Sequence, residues 1–466
     1  MTAKTLMIQG TGSGVGKSIL TAAICRYFYK SGFKVAPFKA QNMALNSFVT
    51  EKGDEIGRAQ AFQAEACGIS PDVLMNPILM KPSGDNSSQV ILMGKPSGSC
   101  NAKNYYALHK KHKKVVLSAL QSLREKYELV IIEGAGSPAE INLKKWDLVN
   151  MFIAEHSDSP VIIVGDIDRG GVFAWMKGTY DLLTFQEKKR VKGFIINKFR
   201  GDIDLLAPGI KQFEELVPKP VLGVVPYEKN LVVDEEDSIP KWSHSTESGA
   251  EEIVNVAVIW TPRISNFTDL TPLAYDPSVS LSYINHTSQL NNPDLIILPG
   301  SKNTIEDLIY LKEQRILEKV LKCHHDGSLL LGICGGFQML GNIIRDPQNL
   351  ESSISECAGL GLFDMDTTFA SDKLTRQIEL KTVKSRLFKE GIKCDGYEIH
   401  MGRTNFKSNY PSLFSGIEDE NPMNFGITNK SGTVIGTYLH GFLNNNSLRQ
   451  ELLSYIRLAR NIDNPI

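Results

Sequence analysis

No apolar run in this chain of 466 residues approaches the roughly 20 residues that a helix needs to cross a bilayer. Nor does the first stretch read as the apolar core of a secretory leader. Met1-Thr2-Ala3-Lys4 passes into the short stretch Thr5–Gln9, and a glycine loop follows at once. Neither sign of charge is in excess, with 51 Lys and Arg against 52 Asp and Glu, so no basic stripe invites nucleic acid or an anionic membrane surface. The cysteines (Cys25, Cys67, Cys100, Cys323, Cys334, Cys357 and Cys394) form no C-x-x-C pair and no framework spacing. That argues against a disulfide scaffold and for a reducing, cytoplasmic setting. Nor do His, Cys and Asp gather at zinc-ligand spacing, and His324-His325 reads as solvated. What is present is an ordinary globular composition, 42% hydrophobic and 22% charged, with length for at least two domains.

Short β-branched runs alternate with amphipathic stretches. Thr5–Gln9, Leu129–Glu133, Pro160–Gly165, Val191–Asn197 and Val221–Pro226 are near-continuous apolar runs, as expected of strands covered on both faces. Helices fit between them at Lys17–Ser31 and Lys111–Lys126, so a doubly wound α/β domain is expected over 1–233. The acidic, aperiodic stretch 234–252 reads as a linker. A second α/β series begins at Ile253–Trp260 and continues through Leu295–Pro299, Ser328–Ile333 and Gly432–Leu439, giving a domain over 253–446 and a C-terminal helix over 447–466.

The first strand delivers Gly10-Thr11-Gly12-Ser13-Gly14-Val15-Gly16-Lys17-Ser18 into a helix. Glycines such as Gly12, Gly14 and Gly16 let backbone N–H groups wrap phosphate oxygens, Lys17 adds a positive charge, and Ser18 is placed to ligate Mg²⁺. Glu133 ends another apolar strand, where a metal-binding acid would stand opposite Ser18, and Asn197 at a further strand end would read the nucleotide base through its amide. Together these predict ATP and Mg²⁺. ParA/MinD-type switch ATPases carry an extra Lys near the loop's start; here that position is Gly12.

At the other end, Leu329–Ile333 leads into Gly332-Ile333-Cys334-Gly335-Gly336 and then a helix, a nucleophile elbow with Cys in place of Ser. Small neighbours permit the strained turn, and a helix N-terminus favours a thiolate. An acyl-attacking thiolate also needs a proton carrier and an oxyanion hole. His440, at a strand end in Gly436–Gly441, is the candidate carrier; backbone N–H groups of Gly300, Ser301 and Gly335 are the candidate donors.

The phosphate loop, with Thr11 at the usual first glycine position, resembles the dethiobiotin synthetase-like branch of P-loop proteins. The second domain is similar to class I glutamine amidotransferases, with Cys334 as nucleophile and His440 as base. Gly441-Phe442 follows His440 where most of that class has His-x-Glu, so the carboxylate that orients His440 is not visible. The whole chain resembles the cobyrinate/cobyric acid synthase family, through Ala36–Ser47, Glu55–Gln60, Glu133–Asn142, Asp166–Phe173 and Gly396–Gly402. That resemblance implies glutamine-dependent, ATP-driven amidation of carboxylates b, d, e and g of adenosylcobyrinic acid a,c-diamide, within adenosylcobalamin biosynthesis. Glutamine and a corrinoid are the implied partners, and nothing opposes a homo-oligomer.

Within such a ligase, Lys39, Asp166, Arg169 and Tyr397 are expected to meet substrate or the transferred phosphoryl group, and Glu55 to be a further metal ligand or one side of a salt bridge. Ammonia must reach the acceptor unprotonated, which calls for a shielded route. The nearest rival is cobyrinic acid a,c-diamide synthase, the same chemistry on other carboxylates; Ala36–Ser47 and Gly396–Gly402 count against it. A nucleotide switch with a non-catalytic second domain is opposed by Gly12 and the intact elbow. The third rival is a simple glutaminase or peptidase.

Overall fold

The computed structural model describes residues 2–84, 87–100, 105, 107–228, 253–416 and 421–459. The expected linker lies outside them, as do the last seven residues of the expected C-terminal helix. The chain divides into two compact units, one within Met1–Ala44, Asp54–Lys81 and Asn86–Glu236, the other within Leu45–Gly53, Pro82–Asp85 and Asp237–Ile466. The second unit thus takes in Leu45–Gly53, which the chain encodes amid the first.

The first unit is built on β1 (Lys4–Gly10), α1 (Lys17–Lys30), β2 (Val35–Phe38), α2 (Arg58–Ala66), β3 (Leu129–Glu133), β4 (Val161–Asp166), β5 (Val191–Phe199) and β6 (Val221–Pro226). The strands form one parallel sheet in the order β6-β5-β4-β1-β3-β2. Met7, Ile8, Val130, Ile131, Ile132, Ile163 and Val164 are buried, which is why these strands read as apolar runs rather than alternating ones. Register aligns their C-terminal ends, so Gly10, Glu133, Asp166 and Asn197 share one edge of the sheet, where ligands bind in open α/β folds.

The second unit repeats the plan with β7 (Val254–Ile259), β8 (Val279–Ile284), β9 (Leu295–Leu298) and β10 (Leu329–Ile333), then α3 (Gly335–Met339). After them come the long strands β11 (Met365–Thr382) and β12 (Lys393–Phe406), then β13 (Gly426–Thr428), β14 (Val434–Thr437) and α4 (Asn446–Ala459). The sheet order is β8-β7-β9-β10-β14-β13, parallel except for β13. Its core gathers Val258, Ile297, Leu331, Phe337 and Ile435. The antiparallel β11–β12 hairpin was not among the expected strands. Its residues alternate buried and exposed along much of β11, so no apolar run announces it. Among the described residues no helix is long and apolar enough to cross a membrane.

Candidate active site

In the first unit the glycine loop spans the β1–α1 junction. Gly14 and Gly16 take left-handed φ values of 71° and 94°, and a Cβ on Gly16 would fall 2.2 Å from Asn197 Nδ2. Asn197 therefore sits under the loop, donating from Nδ2 to Val15 O at 2.9 Å. One of its two amide N–H groups is thereby given to the loop backbone. Lys17 Nζ donates to Gly12 O at 2.8 Å and to Gly136 O at 3.3 Å, curled over the loop where phosphate oxygens would replace these carbonyls. Asp166 lies beside the same loop, ion-paired to Lys198 at 2.9 Å and 3.6 Å from Arg169 Nε.

Glu133 is the centre of this site. It is fully buried and accepts from Ser18 Oγ at 2.8 Å, from Lys39 Nζ at 3.0 Å and from the Gln63 amide on α2. Burial alone would raise its carboxyl, but Lys39, Gln63 and Lys17 outweigh that and hold it below the usual carboxylate range. An ionised carboxylate touching a serine hydroxyl is a hard oxygen pair that fits Mg²⁺, which takes few protein ligands and keeps its waters. Among the described residues no group of three or more His, Cys, Asp or Glu forms a metal cluster. Glu55, offered as a metal ligand or a salt-bridge partner, is buried in an ion pair with Lys81 at 3.0 Å; the salt bridge is what the structure has.

In the second unit the elbow is strained as expected. Cys334 has φ 51° and ψ −106°, a backbone region that costs a non-glycine residue about 1–3 kcal/mol and persists only where packing dictates it. The glycine behind it provides that packing. A Cβ on Gly336 would lie 1.9 Å from Leu298 O. Gly336→Ala is expected to lose about 1–3 kcal/mol through forced overpacking and to lose glutaminase activity with it. Thermal unfolding and a glutamate-release assay check this, and an unchanged variant in both would show that the elbow is not held this way.

The expected oxyanion donors come together. A Cβ on Gly335 would meet Ser301 N at 2.8 Å, so Gly335 lies directly against the Ser301 amide, and Gly300 lies close to the His440 ring. Ser301 is held by its hydroxyl, which donates to Asp307 Oδ2 at 2.6 Å.

His440 is completely buried. Its Nδ1 donates to Asp269 Oδ2 at 2.6 Å, and Asp269 Oδ1 accepts from Gly441 N at 2.8 Å. Burial would lower the imidazole, but the Asp269 carboxylate and the neighbouring Cys334 side chain prevail and push it up to about 10. His440 thus carries a proton at neutral pH, oriented by a carboxylate 171 positions earlier in the chain. Sequence reading missed Asp269. The available signal was a polar run, Ser265-Asn266-Phe267-Thr268-Asp269, just past the end of β7 and so on the ligand edge of the sheet.

Tyr397 was expected near substrate or the phosphoryl group. The structure sets it beside His440 instead, because β12 runs past the end of β14. The two residues exchange backbone hydrogen bonds (3.1 and 2.9 Å), and their rings stack at 5.2 Å with 17° between planes. The phenol donates to Ser47 O at 3.2 Å, and Ser47 N donates to Asn266 Oδ1 at 3.2 Å. Segment Leu45–Gly53 is pinned further by Gln377 to Val49 O and Thr375 to Gly53 O, both at 2.8 Å. His400 stacks on Tyr438 at 4.0 Å and donates to Gly402 O, which makes it a wall of the thiol site rather than its base.

Residues 6–240 match the family described as CobQ/CobB/MinD/ParA nucleotide binding domain, and residues 255–448 match the CobB/CobQ-like glutamine amidotransferase domain. A curated cobyric acid synthase of Dehalococcoides mccartyi is 48% identical over 465 residues, covering 99% of this chain and 92% of that protein. One of Alkaliphilus metalliredigens is 48% identical over 467 residues, covering 98% and 92%. One of Desulfitobacterium hafniense is 47% identical over 473 residues, covering 100% and 91%.

Proposed function

This chain belongs to the cobyric acid synthase family, and from that premise we propose how its two sites divide the amidation of a corrinoid between them. It is a glutamine-hydrolysing, ATP-dependent amide ligase of cobalamin biosynthesis. The acceptor we propose is adenosylcobyrinic acid a,c-diamide, amidated at carboxylates b, d, e and g. One observation carries the reading: a single chain holds both a Cys334–His440–Asp269 set and a phosphate loop backed by Ser18, Glu133 and Lys39.

At the thiol site, Cys334 sulfur attacks the side-chain carbonyl carbon of glutamine, with the oxyanion facing the amides of Ser301 and Gly335. The carbon–nitrogen bond breaks as His440 passes its proton from Nε2 to the leaving nitrogen, so ammonia departs neutral. His440, now neutral, takes a proton from water; the hydroxide adds to the thioester, glutamate leaves, and the thiolate is restored. Asp269 holds the ring throughout.

At the phosphate site, an acceptor carboxylate oxygen attacks the γ-phosphorus of ATP and ADP leaves, giving an acyl phosphate that ammonia then displaces. Hydroxide is a poor leaving group and phosphate a good one, which is why ATP is consumed. Lys17 and Lys39 neutralise charge on the transferring group. Ser18 and Glu133 would hold Mg²⁺, which when bound supplies further neutralisation of the phosphates. Arg169 and its partner Asp166, beside the loop, are our candidates for contact with the acceptor.

The test incubates the protein with ATP, Mg²⁺, glutamine and the corrinoid a,c-diamide while corrinoid mass is followed. Four successive amidations are expected. Turnover of unamidated cobyrinic acid but not of the a,c-diamide would instead favour the a,c-diamide synthase reading, and glutamate release with no corrinoid product would leave only a glutaminase.

A further inference from the structure

Away from both sites, α4 presents two faces. Leu448, Leu452, Leu453 and Ile456 are buried in the core of the second unit. Asn446, Arg449, Gln450, Ser454 and Arg457, on the adjoining face of the helix, line an open cleft of about 660 Å³. The opposite wall is the segment from Pro272 to Ser278. The volume is that of a small-molecule site, and the lining mixes these polar side chains with Pro272, Tyr275 and Pro277.

The charges do not balance. Asp276 accepts from Ser278 N (3.1 Å), Ser278 Oγ (2.7 Å) and Gln450 Nε2 (2.9 Å), and stands 3.5 Å from Arg449 Nε. It is the counter-charge of Arg449. Arg457, only 3% exposed, reaches Ser278 Oγ through Nη2 at 2.7 Å. Its Nε finds no hydrogen-bond partner among the described residues, and no carboxylate there pairs with it. A buried guanidinium without an anion is costly, and the fork of Arg suits the paired oxygens of carboxylate or phosphate.

The location bears on catalysis. The helix Thr271–Ala274 in one wall starts directly after the turn Phe267–Leu270 that carries Asp269. The other wall, α4, follows the turn Phe442–Asn444 just past His440, and these two turns pack against each other. A ligand joining the walls would brace both members of the hydrogen-bonded pair.

We propose that this cleft binds a small anion bearing a phosphate or carboxylate group, held by Arg457 with Arg449 and the Ser454 and Gln450 side chains. Its occupancy steadies the Asp269–His440 pair and raises the glutaminase kcat. Such coupling commonly amounts to a factor on the order of 5 or more.

The experiment measures thermal unfolding and ATP-free glutaminase kcat of the full chain while inorganic phosphate or citrate is titrated against chloride at matched ionic strength. Phosphate and citrate arms distinguish the two head groups. The expected result is a saturable rise in both melting temperature and kcat for at least one anion. Because the glycine loop also accepts phosphate, the response must persist in Lys17→Met. It must vanish in Arg457→Gln, and also in Ser454→Asp, which offers a carboxylate to Arg457 one turn away without removing a buried charge.

No saturable response in the wild type would overturn the proposal, as would binding that leaves kcat unmoved or a wild-type response in Ser454→Asp. The melting arm needs no turnover, so a failure of the glutaminase reading itself would be seen separately.

Discussion

Cys334→Ser is expected to abolish glutamine-supported amidation while ammonium-supported amidation continues near the wild-type rate. The elbow spends backbone strain to hold one atom at φ 51°, and serine would occupy that position with almost the same shape. Its hydroxyl, however, is a far weaker nucleophile than a thiolate beside an imidazolium. Loss of a covalent nucleophile elsewhere costs on the order of 10⁴- to 10⁶-fold in kcat, so no amide should form from glutamine on a laboratory timescale. Each unit has its own buried core, and the substitution is nearly isosteric, so ATP-driven activation should survive. Corrinoid mass followed with glutamine and, separately, with ammonium chloride at alkaline pH reads both arms. Equal loss in the two arms would refute the division of labour, since the thiol would then serve the ligase chemistry directly.

Asp269→Asn is expected to lower the glutaminase kcat on the order of 10³-fold or more, by analogy with loss of the orienting carboxylate in Ser-His-Asp enzymes. An amide keeps the shape but offers no charge to hold the proton. With Asp269 gone, the two largest causes that raise His440 are lost and its pKa should fall. Less of the ring then carries the proton that the departing nitrogen needs.

The same shift has a stability signature. His440 is raised to about 10, so the stability it contributes is fully present below its unfolded value near 6.5 and is lost as pH rises through the folded value. The melting advantage of the wild type over Asp269→Asn should therefore be large near neutrality and shrink as pH approaches 10. A purely structural Asp269 would lower stability equally at every pH, and that outcome would remove it from the proton path.

Both open sheets were readable because parallel strands buried on both faces write themselves as apolar runs, and their edges carry glycines and acids. Leu129–Glu133 matches its expected bounds, and the phosphate loop and the cysteine elbow fall where a strand meets a helix. What the sequence withheld was nonlocal. The carboxylate serving His440 comes from a different strand end, and no spacing rule links positions 269 and 440. Tyr397 is an aromatic on a half-exposed hairpin, and only the pairing of β12 with the end of β14 shows that it faces His440. The loop-supporting bond of Asn197 was hidden for a simpler reason. An amide at a strand end looks the same whether it turns outward or props up a loop.

The placement of Leu45–Gly53 bears on how such a chain can be divided and inherited. Its primary structure suggests two modules to be cut at 234–252 and recombined at will. Yet Val49 is buried against Tyr397 and Ile399, and Ser47 accepts the Tyr397 phenol, so a peptide from the first module is part of the second one's fabric. Severing the chain at the linker would leave the glutaminase half without that peptide. Swapping halves between relatives would exchange it too, so a chimera must match Ser47–Val49 to its new Tyr397. The boundary along the chain is not the boundary in the folded molecule.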